Sequence, residues 1–161
     1  MIELPIRLTP DQVAQFRREG YLLVKGLLNP AEDLDPVYHE YAGVLDDLAK
    51  LLYDKSEISP TYADLPFSQR LIQIYKESGK VQQQYFDFTL HGAAVTDDPA
   101  FWVGPEVFYL LSNESLLDEV EALIGPEIYS NPVQHIRLKP PEQFTPRDAE
   151  ERLQLGKTPP H

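Results

Sequence analysis

The sequence predicts an α+β fold in which helices predominate. Several segments carry apolar residues at the three- and four-residue spacing of an amphipathic helix, and most are bounded by residues that begin or end helices. Only two segments have the character of a strand, and they lie near opposite ends of the chain. Because isolated strands are unstable, they either pair with each other or belong to a sheet that we expect beyond residue 161.

The first helix and the first strand follow each other closely. Thr9 is a favourable N-cap, Pro10 suits the first helical position, and Gln12 can complete a capping box. Gly20 supplies a left-handed stop. The apolar and partly β-branched run at 21–28 then predicts a strand.

The next part of the chain predicts two further helices separated by a loop. Asn29-Pro30 and Asp35-Pro36 are both typical of helix starts, and the second opens a long helix. Its apolar stripe consists of Val37, Tyr38, Tyr41, Val44, Leu45, Leu48, Leu51 and Leu52. The proline-containing stretch 56–66 predicts a loop, and 67–78, closed by Gly79, predicts a helix. Residues 81–90 fit neither the helical nor the strand period.

The last third changes from helical to strand character. Gly104-Pro105 interrupts or restarts a helix within the aromatic run 101–111, and Ser112 or Asn113 can cap the following helix. That helix has an apolar side made of Leu116, Leu117, Val120, Leu123 and Ile124, and it ends at Gly125-Pro126. In the stretch 127–139, Ile136 and Leu138 alternate with polar residues, which predicts a strand. Residues 142–161 predict an irregular tail, with at most one turn of helix near 148–153, so 1–161 is predicted to form a single domain.

Composition excludes several classes of function. With 42% hydrophobic and 25% charged residues, the chain is typical of a globular protein. A net charge of -12, with no Lys or Arg between Val81 and Gln134, leaves no basic groove for nucleic acid. The absence of cysteine excludes disulfides and thiolate metal sites. We expect a cytoplasmic protein, because MIELPIRLTP lacks the features of a signal peptide and no apolar run approaches roughly 20 residues.

The histidines are the main candidates for chemistry. We expect His39 to be a solvated residue on a helix and His91 to lie in a loop. His135, Arg137 and Lys139 would share one face of the last strand, where they could hold a carboxylate, since Arg offers a bidentate fork. The alternative, an edge strand with a solvated polar face, is favoured by periodicity alone. Neighbouring carboxylates (Asp46-Asp47 and Asp97-Asp98) diverge in either secondary structure and predict solvated or capping groups. Core positions are predicted for the aromatic residues Tyr85, Phe86, Phe88, Phe101, Trp102, Phe108 and Tyr109.

Three groups of segments together resemble the phytanoyl-CoA dioxygenase family. The first group, made of 8–12 with Phe16, 19–24 and 26–28, resembles that family's first helix and strand. The second group, made of 116–118 and 123–128, resembles the helix leading into its double-stranded β-helix. The third, 134–141, resembles the strand before its metal motif. The resemblance implies the N-terminal helical part and first strands of a jelly-roll oxygenase whose barrel is incomplete in these 161 residues.

The resemblance also implies a cofactor, a cosubstrate and site residues. His135 and Arg137 match positions that point into the 2-oxoglutarate pocket, and His161 matches the first of three iron ligands. The second ligand, the distal histidine and the basic residue that binds the 2-oxoglutarate carboxylate have no counterpart. The complete enzyme would use Fe(II) and 2-oxoglutarate to hydroxylate a small organic molecule, whereas we expect this chain alone to bind neither and to be inactive. The alternatives are a non-catalytic, acidic, helical protein-interaction module and a fragment without a function of its own.

Overall fold

A computed structural model describes residues 7–82, 85–86, 104–130, 136 and 138–147. This part of the chain is predominantly helical, as predicted. Its helices are α1 (Pro10–Glu19), a π-helical turn (Pro30–Leu34), α2 (Asp35–Asp54), α3 (Phe67–Ser78), α4 (Pro105–Leu111), α5 (Glu114–Ile124) and a 3-10 helix (Glu142–Phe144). No strand occurs among the residues that the structure describes. None of its helices has the length and apolar character needed to cross a membrane.

The chain divides into two compact units, each made of two separate stretches. The first unit combines residues 1–39 with 104–131, and the second combines residues 40–103 with 132–161. The boundary falls within α2, whose first turn belongs to the first unit.

Helix boundaries agree closely with the capping residues in the sequence. The Thr9 hydroxyl oxygen accepts a hydrogen bond from the backbone N–H of Gln12, and the Gln12 side-chain oxygen accepts one from the backbone N–H of Thr9, so the predicted capping box is present. Gly20 ends α1 with a φ of 79°, a left-handed conformation that favours glycine. Asn113, rather than Ser112, caps α5 by accepting from the N–H of Leu116 at 3.0 Å.

The predicted strand at 21–28 is wrong, although residues 21–24 alternate between exposed and half-buried positions. Tyr21 and Leu23 are 65% and 71% exposed, while Leu22 and Val24 between them are half-buried. This alternation is that of extended backbone. No strand forms because this segment has no partner strand in the part of the chain that the structure describes, and a ladder needs two chains of backbone groups.

The second unit contains the apolar core. Most of the predicted α2 stripe is buried in it, although Val37 and Leu51 are half-buried and Tyr38, in the first unit, is 67% exposed, which contradicts its predicted core position. The buried apolar residues of this unit are Tyr41, Val44, Leu45, Leu48, Ala49, Leu52, Ile58, Leu71, Ile74, Tyr75 and Phe86. The Tyr41 hydroxyl donates to the Phe86 carbonyl at 3.1 Å, which fixes Phe86 against α2.

The first unit has little apolar core among its described residues. Val107 is its buried large apolar side chain, whereas Phe108 and Tyr109 are 66% and 63% exposed, contrary to the prediction that they lie in the core. α4 turns these two rings outward because consecutive helical residues point about 100° apart, so burying Val107 exposes its neighbours. Large apolar side chains on this unit are therefore available for contact.

Two polar contacts join the separate stretches of the first unit. The Leu8 backbone N–H donates to a Glu119 carboxylate oxygen at 2.9 Å, across 111 residues of sequence. The Asn113 side-chain amide donates to Asp33 at 2.8 Å, across 80 residues. Asp33 also accepts from the Asn29 N–H at 2.6 Å, so it connects the π-helical turn to the start of α5.

Candidate functional site

The predicted site residues lie outside the part of the chain that the structure describes. This holds for His135, Arg137 and His161, and equally for His91 and the Asp97-Asp98 pair. Described residues beside them show Ile136 and Leu138 half-buried and Lys139 exposed, without a strand. His39 is exposed on α2, as its position off the apolar stripe predicts.

The predicted donors fit the cosubstrate better than the metal. An imidazole and a guanidinium can hold a carboxylate group. One imidazole supplies a single ligand, whereas a facial iron site needs three from the protein. Within the described ranges, no cluster of three or more His, Asp or Glu residues is placed to hold a metal ion.

The segment after the predicted cosubstrate strand packs against α3. Lys76 lies over the Phe144 ring, with its ammonium 4.9 Å from the ring centroid, a cation–π contact. Thr145 is buried, and its hydroxyl donates to the Pro141 carbonyl at 3.3 Å. These contacts fix the 3-10 helix beside α3, next to a shallow cleft of about 300 Å³.

A buried arginine links α2, α3 and the loop between them. The Arg70 guanidinium donates to Asp46 Oδ1 and to the Thr61 carbonyl, both at 2.9 Å. Lys50 lies 2.5 Å from the other Asp46 oxygen. Hydrogen bonds from Lys50 and then Arg70 lower the pKa of Asp46. Asp47 points to solvent, so Asp46 and Asp47 do not form a catalytic dyad. Asp46 is an ion-paired carboxylate, whereas the sequence predicts a solvated or capping group at this position.

A second carboxylate fastens the 56–66 loop to α3. Glu77 accepts hydrogen bonds from the Ser59 N–H at 2.8 Å and the Ser59 hydroxyl at 2.7 Å, and from the Tyr62 hydroxyl. The hydrogen bond from the Tyr62 hydroxyl, followed by that from Ser59, lowers the pKa of Glu77. The hydrogen bond between Tyr62 and Glu77 also raises the pKa of Tyr62. Nearby, Lys80 pairs with Glu57 at 3.0 Å. The Glu77 carboxylate is already satisfied by donors from the 56–66 loop, so this cluster is a structural clamp between that loop and α3.

Sequence reasoning missed both carboxylate clusters. Arg70 stands directly before Leu71 and Ile74 on the apolar side of α3, and a charged residue in that position indicates a buried partner. For Glu77 no such signal exists, because its donors come from a loop whose path the sequence does not specify.

Comparison with known proteins adds no relative. The chain matches no protein-family model, no curated protein and no solved structure.

Proposed function

We propose that the chain forms the N-terminal helical layer of an Fe(II)- and 2-oxoglutarate-dependent oxygenase similar to the phytanoyl-CoA dioxygenases. The proposal starts from the resemblance of 8–28, 116–128 and 134–141 to that family. In the complete enzyme the cosubstrate and metal would supply oxygen activation coupled to decarboxylation of 2-oxoglutarate. The helices of this chain would support the barrel that carries them.

The contact between Leu8 and Glu119 is the observation that favours this proposal most. It joins Leu8, in the first group of segments that carries the resemblance, to Glu119, which lies between 116–118 and 123–128 of the second group, at a hydrogen-bond distance of 2.9 Å. Segments that belong to one architectural layer should pack together despite their separation in sequence. A chance resemblance in unrelated surface helices would not require this packing.

The two sides of α5 also suit a helix that lies between another helix and a sheet. Glu119 and Ala122 face α1, where Glu119 holds Leu8 and Ala122 lines the same cleft as Val13. At about 100° per residue, Val120 at the centre of the apolar stripe points about 100° away from Glu119 and about 160° away from Ala122, so most of the stripe lies off the side that faces α1. None of the stripe residues is fully buried. The stripe could therefore cover the face of a sheet.

Within the proposal, three residues take part in binding. His135 and Arg137 would orient the 2-oxoglutarate carboxylate, and His161 would be one iron ligand. The remaining ligands have no match within these 161 residues. We therefore expect the chain alone not to convert 2-oxoglutarate to succinate.

The coding sequence beyond the His161 codon provides the most direct test. We expect an aspartate two residues after His161, which would complete a His-x-Asp pair. Any other residue there would remove His161 from the proposed site. A second test is anaerobic addition of Fe(II) and 2-oxoglutarate to the 161-residue chain, then oxygen, with succinate as readout. Stoichiometric succinate would contradict the assignment of missing ligands.

A second candidate function is a non-catalytic protein-interaction module. The exposed aromatic residues of the first unit favour it, with Tyr38, Phe108, Tyr109 and Tyr129 each more than half exposed. Thermal unfolding separates the two candidates. A cooperative transition with no binding of an apolar dye favours an autonomous module, whereas a broad transition with strong dye binding favours a layer that lacks its sheet.

A further inference from the structure

A cleft of the first unit runs between α1 and α5. It has a volume of about 690 Å³ and a floor of small and apolar side chains, among them Leu8, Val13, Ala14 and Ala122. An adjoining cleft of about 340 Å³ shares Leu8 and Ala122 with it. The two form one continuous surface, which we call the α1–α5 groove. Ala14 and Ala122 are exposed and small, so another backbone can approach closely here.

The two walls of the α1–α5 groove carry opposite charges. Arg17 and Arg18 line the α1 wall, and Asp118 and Glu121 line the α5 wall. Arg7, which precedes α1, lines the adjoining cleft together with the two acidic residues. All five side chains are exposed. Arg18 pairs with Glu19 at 2.8 Å, on its own helix. No ion pair crosses the groove within the described residues, so neither wall neutralises the other.

We propose that the α1–α5 groove binds the same groove of a second copy of the chain. A two-fold axis places the α1 wall of each copy against the α5 wall of the other, because an isologous contact uses the same surface on both sides. Arg17 and Arg18 then meet Asp118 and Glu121 of the second copy twice. The alanine-rich floor permits close helix packing between these charged walls.

Charge complementarity selects a second copy over an arbitrary acidic or basic partner. A purely acidic partner would be attracted by one wall and repelled by the other, and the same holds for a basic one. A surface with the same alternation of charge satisfies both walls, and this chain presents such a surface. Since each copy carries a net charge of -12, non-specific association is disfavoured, and only a locally matched contact overcomes the repulsion. Such pairing requires neither iron nor 2-oxoglutarate.

Charge exchange between two variants tests the proposal. Variant one carries R17E and R18E, which makes both walls acidic; variant two carries D118R and E121R, which makes both walls basic. We expect light scattering with size exclusion to give about twice 18.4 kDa for the wild-type chain and 18.4 kDa for each variant alone. An equimolar mixture should regain the dimer, because each α1 wall then meets an α5 wall of opposite charge. Each variant alone should dimerise at least about tenfold more weakly than the wild type.

A matched control changes the same amount of charge elsewhere. K25E with K55E alters two exposed lysines outside the groove and should leave the dimer unchanged. Circular dichroism verifies that all variants keep the wild-type helix content. If a charge-reversal variant loses it, two neutral variants replace the pair, namely R17Q with R18Q and D118N with E121N. Each of these neutral variants is expected to weaken the dimer. A wild-type chain that stays monomeric, a variant that dimerises like the wild type, or a mixture that stays monomeric would each overturn the proposal.

Discussion

Arg70 and Asp46 form a hydrogen-bonded ion pair of 2.9 Å in which the arginine is buried and the aspartate is partly exposed. The pair links α3 to α2, and the same guanidinium also binds the Thr61 carbonyl. Three elements of the second unit therefore meet at one side chain. Burial of a guanidinium is favourable only when its donors are satisfied, which makes this residue sensitive to the loss of either partner.

Replacement of Arg70 should destabilise the second unit. R70M retains apolar volume but removes the hydrogen bonds to Asp46 and Thr61, so we expect a loss of about 1–3 kcal/mol in the free energy of unfolding. Urea denaturation followed by circular dichroism measures it. K50A, which removes the exposed partner of the same aspartate, is the matched control and should cost at most about 0.5 kcal/mol.

A double-mutant cycle isolates the pair itself. D46A, R70M and the combined variant should show non-additive effects, because each single change removes the same interaction. Strict additivity would mean that Arg70 stabilises through Thr61 and packing and not through Asp46.

Acid should weaken the second unit through Asp46. Lys50 and Arg70 hold the pKa of Asp46 below its ordinary value of 3.8. A carboxyl group with a lowered folded-state pKa binds fewer protons in the folded than in the unfolded chain near that pH. Its stabilisation is therefore complete above the unfolded pKa and is lost as the pH falls through the folded pKa.

Urea midpoints between pH 6 and pH 2.5 should show this contribution. The wild-type chain should lose more stability over this interval than D46N, whose amide does not titrate. D47N is the control, because Asp47 is exposed and makes only a 3.6 Å contact with Lys50; its acid dependence should follow the wild type. Equal pH dependence in D46N and the wild type would contradict the assigned role of Asp46.

The helices were predictable from the sequence because their signals are local. Caps such as Thr9 and Asn113, and stops such as Gly20 and Gly79, act within a few residues, and the structure begins and ends helices there. A strand is different, since its hydrogen bonds come from another segment. The apolar run at 21–28 forms no ladder, although residues 21–24 alternate in side-chain exposure, because an apolar run does not specify a partner strand.

Long-range polar contacts could not be predicted for the same reason. Leu8 donates a backbone N–H, a group that every residue except proline possesses, so nothing in the sequence marks it as the partner of Glu119. Glu119 stands at the edge of the apolar stripe of α5, where a solvated charge is the ordinary expectation, yet it is 4% exposed. For the proposed site, His135, Arg137 and His161 stay predictions that lie outside the described residues.

The Glu77 clamp should control hydrogen exchange in the 56–66 loop. The Ser59 N–H donates to Glu77 at 2.8 Å, and in E77A this amide loses its acceptor. We expect its exchange to accelerate by at least about tenfold, equivalent to roughly 1.4 kcal/mol of local opening free energy. Amide exchange followed by NMR or mass spectrometry measures the effect.

Two further variants separate the contributions of the Ser59 and Tyr62 hydroxyl donors to the Glu77 clamp. S59A removes only the hydroxyl donor, and Y62F removes only the tyrosine donor, so each should accelerate exchange less than E77A does. K80A, which frees the neighbouring Glu57, is the control and should leave the Ser59 amide protected. Protection of that amide in E77A would show that the loop is held without the carboxylate.

Glu119 should stabilise the first unit through its acceptor and not through its charge. One carboxylate oxygen accepts from the Leu8 N–H, whereas the other is buried and makes no hydrogen bond with the described residues. Burying a charged oxygen without a donor is costly. E119Q keeps a carbonyl acceptor for Leu8 and removes the charge, so it should be neutral or stabilising by up to about 1 kcal/mol. E119A should destabilise by about 1–2 kcal/mol, because it leaves the Leu8 N–H unpaired and creates a void.

The readout must report on the contact between α1 and α5. Exchange of the Leu8 amide should be slow in the wild type and in E119Q, and fast in E119A. E127Q changes the same kind of side chain at an exposed position just after α5 and should alter neither stability nor exchange. A destabilised E119Q beside a stable E127Q would mean that the negative charge of Glu119 is needed, and that the second oxygen has a donor such as a buried water molecule.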